Sequence, residues 1–243
     1  MENDKVHTKY KRILLKLSGE ALQGDNLFGI DATRLSRISQ EIALVTKLGV
    51  QVALVIGGGN LIRGAELCVS GIERVAADQM GMLATIINGI ALRDSLAKKD
   101  IPITLMSAFS ISGMSETYDY MIARDRLKQG NVVILAGGTG NPLVTTDSAA
   151  ALRGIEINAD IVLKATKVDA VFSDDPIRNP EAKKFTHLTY AEVLEKQLGV
   201  MDLTSILLCK EHSLPIRVFN MNKQGGLQKI TLGEDIGTLI DND

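Results

Sequence analysis

Short apolar runs alternate along the chain with longer stretches in which apolar residues recur every three to four positions. Residues 12–17 hold Ile13, Leu14, Leu15 and Leu17 and predict a first strand. Residues 20–29 are polar and punctuated by glycine, which predicts a hairpin or flexible loop. Asp31 is placed to cap a helix over residues 32–48, where Leu35, Ile38, Ile42 and Val45 keep helical spacing and Gly49 closes the run. Residues 50–56 are rich in Val and Leu and read as a strand buried on both faces. A strand, a helical crossover and a second strand imply a parallel pair.

The alternation continues. A long helix is predicted over residues 72–99, with Met80, Leu83, Ile87, Ile90 and Ala91 forming a wide apolar stripe. Gly81 and Gly89 in that helix point to close packing, either inside one core or against a second subunit. Strands are predicted over residues 101–106, 131–136, 160–164, 216–219 and 238–240. Helices are predicted over 116–129, from Asp147 onward, and over 190–198 and 203–212. Residues 168–172 form a short apolar piece, 173–176 a turn, and 177–189 a polar, irregular stretch. With no low-complexity linker and no internal repeat, the pattern predicts one α/β domain.

Composition narrows the function classes. Apolar residues make up 45% of the 243 residues, enough for a sizeable core, and the net charge of −2 offers no footprint for a polyanionic partner. Aromatic residues are only 4%, which argues against base-stacking surfaces, so no nucleic acid partner is expected. Cys68 and Cys209 are isolated and suit a reduced, cytoplasmic protein. The polar first residues lack the apolar core of a secretory signal, and no run of about 18 apolar residues predicts a membrane span.

Glycine marks the candidate chemistry. Gly57, Gly58 and Gly59 follow the strand over residues 50–56, so consecutive N–H groups there can turn toward an anion. Asn60 is expected to start a helix whose N-terminus points at the same place, and Arg63 adds a planar cation. The reading is a phosphate cradle; the alternative is an ordinary strand-to-helix turn. No Gly-x-x-x-x-Gly-Lys-Ser/Thr loop is present, and Ile62 breaks a Gly-x-Gly-x-x-Gly fingerprint. A broader pattern is stronger. Lys16 with Gly19, Gly57 to Gly59, and Gly137 to Gly140 all fall at strand ends, and in an open parallel sheet such ends share one crevice. Several phosphate cradles in one crevice suit a phosphorylated donor and a phosphorylated acceptor. His7, His187 and His212 lack metal-ligand spacing, so any metal is expected to be Mg²⁺ held mainly by phosphate oxygens.

Several ordered stretches make the chain resemble the bacterial uridylate (UMP) kinases of the amino-acid-kinase superfamily. They are Lys-Arg-Ile-Leu-Leu-Lys-Leu-Ser-Gly-Glu from Lys11, residues 55–63, and Asp-Gln-Met-Gly-Met-Leu from Asp78. Further along come Thr139-Gly140-Asn141-Pro142, Thr-Thr-Asp-Ser-Ala-Ala from Thr145, Leu-Lys-Ala-Thr-Lys-Val-Asp from Leu163, and Pro-Ile-Arg-Val-Phe-Asn from Pro215. The resemblance implies a three-layer α/β/α sandwich around a mostly parallel twisted sheet, with residues 1–10 as a polar extension and 11–243 as the catalytic domain. It implies transfer of the ATP γ-phosphoryl group to UMP with Mg²⁺, a homohexamer, GTP as activator and UTP as inhibitor. By position, Lys16, Leu17, Ser18, Gly19, Gly59, Arg63, Thr166, Phe172 and Asp175 would bind ATP. Gly58, Asp78, Thr139, Gly140, Asn141, Pro142, Leu143, Val144, Thr145 and Thr146 would bind UMP. Gly24, Asp25, Asn26, Leu27, Phe28 and Gly29 match the segment tied to GTP activation, while Ala97 and Thr104 lie where some relatives carry basic residues.

Lys16, Arg63 and Asp147 are the expected catalytic residues. A flexible ammonium at Lys16 can follow the oxygens of a transferring phosphoryl group, and Asp147 would orient it. Lys164 and Lys167 are candidates for a second cation. Plainer roles stand beside these: a surface salt bridge for Arg63, a helix cap for Asp147, a solvated carboxylate for Asp78, turn residues for Thr145 and Thr146, and simple burial for Phe172. The rival functions are a related kinase with another acceptor and a non-catalytic nucleotide-binding protein.

Overall fold

The structure is a computed structural model that describes residues 7–176 and 178–243. The extension predicted over residues 1–10 and the irregular stretch over 177–189 lie partly outside the described residues. Within them, Tyr10 is buried and the Lys9 N–H donates to Thr231 O at 2.8 Å, so the chain has joined the core by that point.

The strands are β1 (Arg12–Leu17), β2 (Gln51–Ile56), β3 (Ile103–Ser107), β4 (Glu116–Thr117), β5 (Val132–Ala136), β6 (Ile161–Thr166), β7 (His187–Thr189), β8 (Ile216–Asn220) and β9 (Thr238–Asp241). They form one sheet in the order β4-β3-β5-β2-β1-β6-β8-β9-β7. Every pairing is parallel except β8 with β9. The helices are α1 (Glu20–Gln23), α2 (Ala32–Lys47), α3 (Gly64–Val69), α4 (Arg74–Ala97), α5 (Tyr120–Lys128), α6 (Thr146–Glu156), α7 (Tyr190–Glu195), α8 (Leu203–Glu211) and α9 (Gly226–Thr231). Two cores sandwich the sheet. Odd-numbered residues of β1 and even-numbered residues of β2 pack with α1, α2, α4 and α9; the opposite face packs with α5, α6, α7 and α8. This is the expected three-layer α/β/α arrangement around a mostly parallel sheet.

Central position explains the apolar strands. β1 lies between β2 and β6, so both of its faces are covered and Ile13, Leu14, Leu15 and Leu17 are fully buried. Polar side chains fix where helices start. Asp31 accepts from the Arg34 N–H (2.7 Å) and caps α2, Asp119 caps α5, and Asp202 caps α8. β2 flanks β1 on one side and β6 on the other, so the crevice opens beyond the carboxyl ends of β1, β2, β5 and β6.

Several predicted elements differ. Residues 20–29 contain α1 rather than a hairpin, because Ala21 and Leu22 N–H groups bond back to Ser18 and Gly19. The helix predicted from Glu116 starts at Tyr120; Glu116 and Thr117 instead pair with β3 at the sheet edge. The helix predicted to open at Asp147 is capped by Thr145, leaving Asp147 in its first turn. Residues 187–189, expected to be irregular, form β7 by pairing with β9, and α9 had no expectation. Residues 168–172 form no strand; Phe172 makes only an isolated bridge to Lys184. Gly89 packs within the chain, where an added Cβ would lie 2.9 Å from Leu105. Cys68 and Cys209 are free. α4 is long and apolar enough to cross a membrane, yet its Ala77, Leu92 and Leu96 face is part of the core.

Candidate active site

The first glycine-rich strand end leaves β2. Gly57 N–H still bonds to Leu17 O (2.9 Å), while the N–H groups of Gly58 and Gly59 find no backbone acceptor among the described residues. Those two donors are available to an anion. The spacing around them is tight. A Cβ at Gly58 would sit 2.7 Å from Gly81 O and 2.8 Å from the Ala84 Cβ, and one at Gly19 would sit 2.7 Å from Gly59 N. Glycine lets the ends of β1 and β2 approach each other and α4 this closely. The helix expected at Asn60 is absent: residues 59–61 form a turn and α3 begins at Gly64. Asn60 is instead buried, its amide sharing two hydrogen bonds with Asn88 (3.0 and 2.7 Å). The anion donors here belong to the turn rather than to a helix N-terminus.

The second glycine-rich end leaves β5. Gly137, Gly138 and Gly140 all have positive φ (76°, 61° and 84°), a backbone path that side chains rarely allow. Gly140 N–H closes a turn on Gly137 O, and the N–H groups of Gly138 and Thr139 have no backbone acceptor among the described residues. Arg153, buried in α6, donates to Gly138 O at 3.4 Å, pairs with Glu156 at 2.7 Å and stacks 3.9 Å over the Tyr118 ring. Burial and the neighbouring Glu156 push the Tyr118 hydroxyl pKa well up, so it stays a donor to Glu156. A cavity of about 250 Å³ lies between the two glycine-rich ends, lined by Gly58, Asp78, Thr139, Val144, Thr145 and Thr146 among others. Asp78 accepts from the Leu143 N–H (2.8 Å) and pairs with Arg74 (2.9 Å), so it is a partly buried anchor rather than a solvated carboxylate. Gly140, Asn141, Pro142 and exposed Leu143, expected with them, are not among the residues that line it.

Three charges meet at Asp147, the residue after Thr146 of this cavity. Lys16 and Lys164 are register partners in β1 and β6, so their side chains leave the same face of the sheet side by side. Two ammoniums so placed repel, and Asp147 sits between them: Lys16 Nζ is 2.7 Å from Oδ1 and Lys164 Nζ 2.8 Å from Oδ2. All three side chains are no more than 16% exposed. Burial alone would raise the Asp147 pKa, but the two lysines outweigh it and hold the carboxylate below its usual range. Burial lowers the Lys164 pKa, opposed by Asp147 and reinforced by Lys16. Lys164 also donates to Val200 O, and Asp202, two residues on, accepts from Thr145 and Ser148.

A second cavity, about 580 Å³, opens past Lys164 and is lined by Thr166, Phe172, Asp175, Leu198 and Val200. The Thr166 hydroxyl donates to Val168 O (2.7 Å), Phe172 is half-buried, and Asp175 pairs with Arg178 (3.4 Å). A smaller one of about 160 Å³ borders Ser18, Gly24, Asp25, Arg34 and Lys167. Leu27 and Phe28 protrude from the loop beside it. Arg63, 48% exposed, reaches Glu20 (3.3 Å) and Glu66 (3.8 Å), so the structure places it in a surface ion pair at the mouth. Lys167 also pairs with Glu20 (3.4 Å) and lies away from Asp147. The hydrogen bonds of Thr85, Asn88, Arg153 and Asp202 to these segments were not expected; their partners are distant in the chain, and no local pattern marks them.

The family profile described as the amino acid kinase family matches residues 11–220. The uridylate kinase of Alcanivorax borkumensis is 59% identical over 239 residues, covering 98% of this chain and 95% of that protein. This chain belongs to the amino acid kinase family, among the uridylate kinases. Solved uridylate kinase structures share its fold. The UMP kinase of Bacillus anthracis superposes with a TM-score of 0.94 at 41% identity, covering 96% of this chain and 97% of that one. The UMP kinase of Ureaplasma parvum gives 0.90 at 32% identity, covering 96% and 99%. As a member of this family, the chain carries out nucleotide-dependent phosphoryl transfer.

Proposed function

We propose that this chain transfers the γ-phosphoryl group of ATP to UMP, giving UDP and ADP. The observation that carries the reading is the Lys16–Asp147–Lys164 cluster, whose Asp147 follows Thr146 of one cavity and whose Lys164 lines the other, in a chain that matches a uridylate kinase along nearly its whole length. UMP occupies the cavity between the glycine-rich ends, held by Gly58, Asp78 and the segment from Thr139 through Thr146. ATP occupies the cavity past Lys164, with Thr166, Phe172 and Asp175 around the nucleoside. Leu17, Ser18, Gly19 and Gly59 flank its phosphates, with Arg63 swinging from its carboxylates to the junction.

Phosphoryl transfer asks the protein to align two anions and to cancel charge as it spreads over the moving oxygens. Lys16 follows the transferring group, Lys164 steadies the donor side, and Asp147 holds both side chains in place. A general base is unnecessary, because the attacking UMP phosphate oxygen is already anionic. Among the described residues no group of three or more His, Cys, Asp or Glu gathers, and Asp147 is shared by two lysines, so phosphate oxygens would be the ligands of Mg²⁺. When bound, Mg²⁺ supplies charge neutralisation across the donor phosphates.

The same reading extends to a cytoplasmic homohexamer in pyrimidine nucleotide synthesis, activated by GTP and inhibited by UTP. Supporting an assembly, Met80, Leu83 and Ile87 are exposed along α4. Residues 24–29 support the effector response through their match to the activation segment. A coupled ADP-release assay with UMP, CMP, aspartate and carbamate tests the activity. UMP is expected to give the highest kcat/KM, by at least about a hundredfold over aspartate and carbamate. ADP release that does not depend on UMP, or a preference for a carboxylate, overturns it.

A further inference from the structure

Helix α4 carries Asp78, Thr85 and Asn88, spaced seven and three residues apart and therefore on one face. Together they reach both glycine-rich loops, Asp78 and Thr85 the one after β5 and Asn88 the one after β2. Asp78 holds Leu143 N–H, Thr85 Oγ1 accepts from Gly137 N–H at 2.7 Å, and Asn88 Nδ2 donates to Gly57 O at 2.8 Å. Thr85 and Asn88 are buried, and both are locked before they act. The Thr85 hydroxyl spends its proton on Met82 O (2.7 Å), so only a lone pair faces Gly137. Asn88 shares the reciprocal amide pair with Asn60, whose own amide also donates to Gly29 O (2.9 Å).

We infer that Thr85 and Asn88 are positioning residues for phosphoryl transfer, fixing the two glycine-rich strand ends to one rigid helix and so setting the distance between donor and acceptor. This rests on the proposed placement of UMP between those ends, with Gly59 flanking the ATP phosphates. Glycine segments adopt many backbone paths, and nothing in their own side chains selects one. The Gly57 peptide is planar and trans, so holding its C=O toward Asn88 turns the Gly58 N–H to the opposite side. Holding Gly137 N–H on Thr85 likewise sets the peptide plane from which the left-handed Gly137–Gly138 path departs. A misplacement near 1 Å between reacting groups is enough for roughly a hundredfold loss of rate.

The test compares Thr85→Val, which keeps the shape and removes the acceptor, with Thr85→Ser, which keeps the hydroxyl. Steady-state kinetics with UMP and ATP are run well below each variant's unfolding temperature. Thr85→Val is expected to lower kcat by about 10- to 100-fold with the KM for ATP within about threefold of wild type, and Thr85→Ser to recover kcat to within about threefold. Asn88→Ala is expected to show the same split, and it decides the matter if Thr85→Val does not fold. The inference is overturned by Thr85→Val with wild-type kcat, by equal losses in the Val and Ser variants, or by changes confined to thermal stability. A wild-type enzyme that forms no UDP from UMP overturns the functional reading instead, so the two failures are told apart.

Discussion

Replacing Lys16 with alanine is expected to lower kcat about a thousandfold, roughly 4 kcal/mol of transition-state stabilisation, while the KM for each nucleotide changes less than about tenfold. The asymmetry follows from geometry. Lys16 is held against Asp147 beside Lys164, whereas the proposed placement puts the nucleosides on Asp78, Phe172 and their neighbours, which Lys16 does not join in lining either cavity. The fold tolerates the loss, because Asp147 keeps Lys164 at 2.8 Å as its partner. Removing Lys16 also relieves the repulsion that helps depress the Lys164 pKa. Steady-state kinetics over a matrix of ATP and UMP concentrations separates the terms. Near-normal kcat in Lys16→Ala contradicts the assigned role.

Asp147→Asn is expected to damage stability as well as turnover. It leaves two mostly buried ammoniums side by side in register with no counterion. Stripping one partner from a buried ion cluster costs about 3–5 kcal/mol, which for a chain of this size lowers Tm by about 10 °C. Turnover falls by about a hundredfold as the lysines splay apart. The pH dependence gives a second check. The Asp147 pKa is held below the ordinary 3.8, so the carboxylate contributes its full stability above that value and loses it as pH falls through the native pKa. The Tm gap between wild type and Asp147→Asn is therefore expected to be wide at neutral pH and to narrow below about pH 4. A gap that stays constant into acid contradicts the ion-cluster account.

The sheet was legible because central parallel strands are nearly continuous apolar runs, and residues 12–17, 50–56 and 131–136 are of that kind. The strand-end glycines were legible for a related reason: a glycine cluster directly after such a run has few roles other than a tight turn or a close approach. Asn60 misled, since an Asn before apolar residues looks like a helix cap. In the structure its amide is taken by Asn88, 28 residues away, and the helix starts later. Thr85 and Asn88 left no local signal. They are polar residues in an apolar helix, and the backbone atoms they hold are 52 and 31 residues distant. Lys16 and Lys164 were each visible, but their meeting depends on strand register, which no local pattern states. β4 was missed because two exposed residues at a sheet edge carry no alternation.

The most direct measurement is a structure with UMP and an unreactive ATP analogue bound together. The account predicts the UMP phosphate and the terminal donor phosphate facing each other between the turn at Gly58 and Gly59 and the turn at Gly138 and Thr139, with Lys16 Nζ in contact with the donor oxygens. Nucleotides bound on opposite faces of the sheet, or a Lys16 side chain turned away from both phosphates, contradict it.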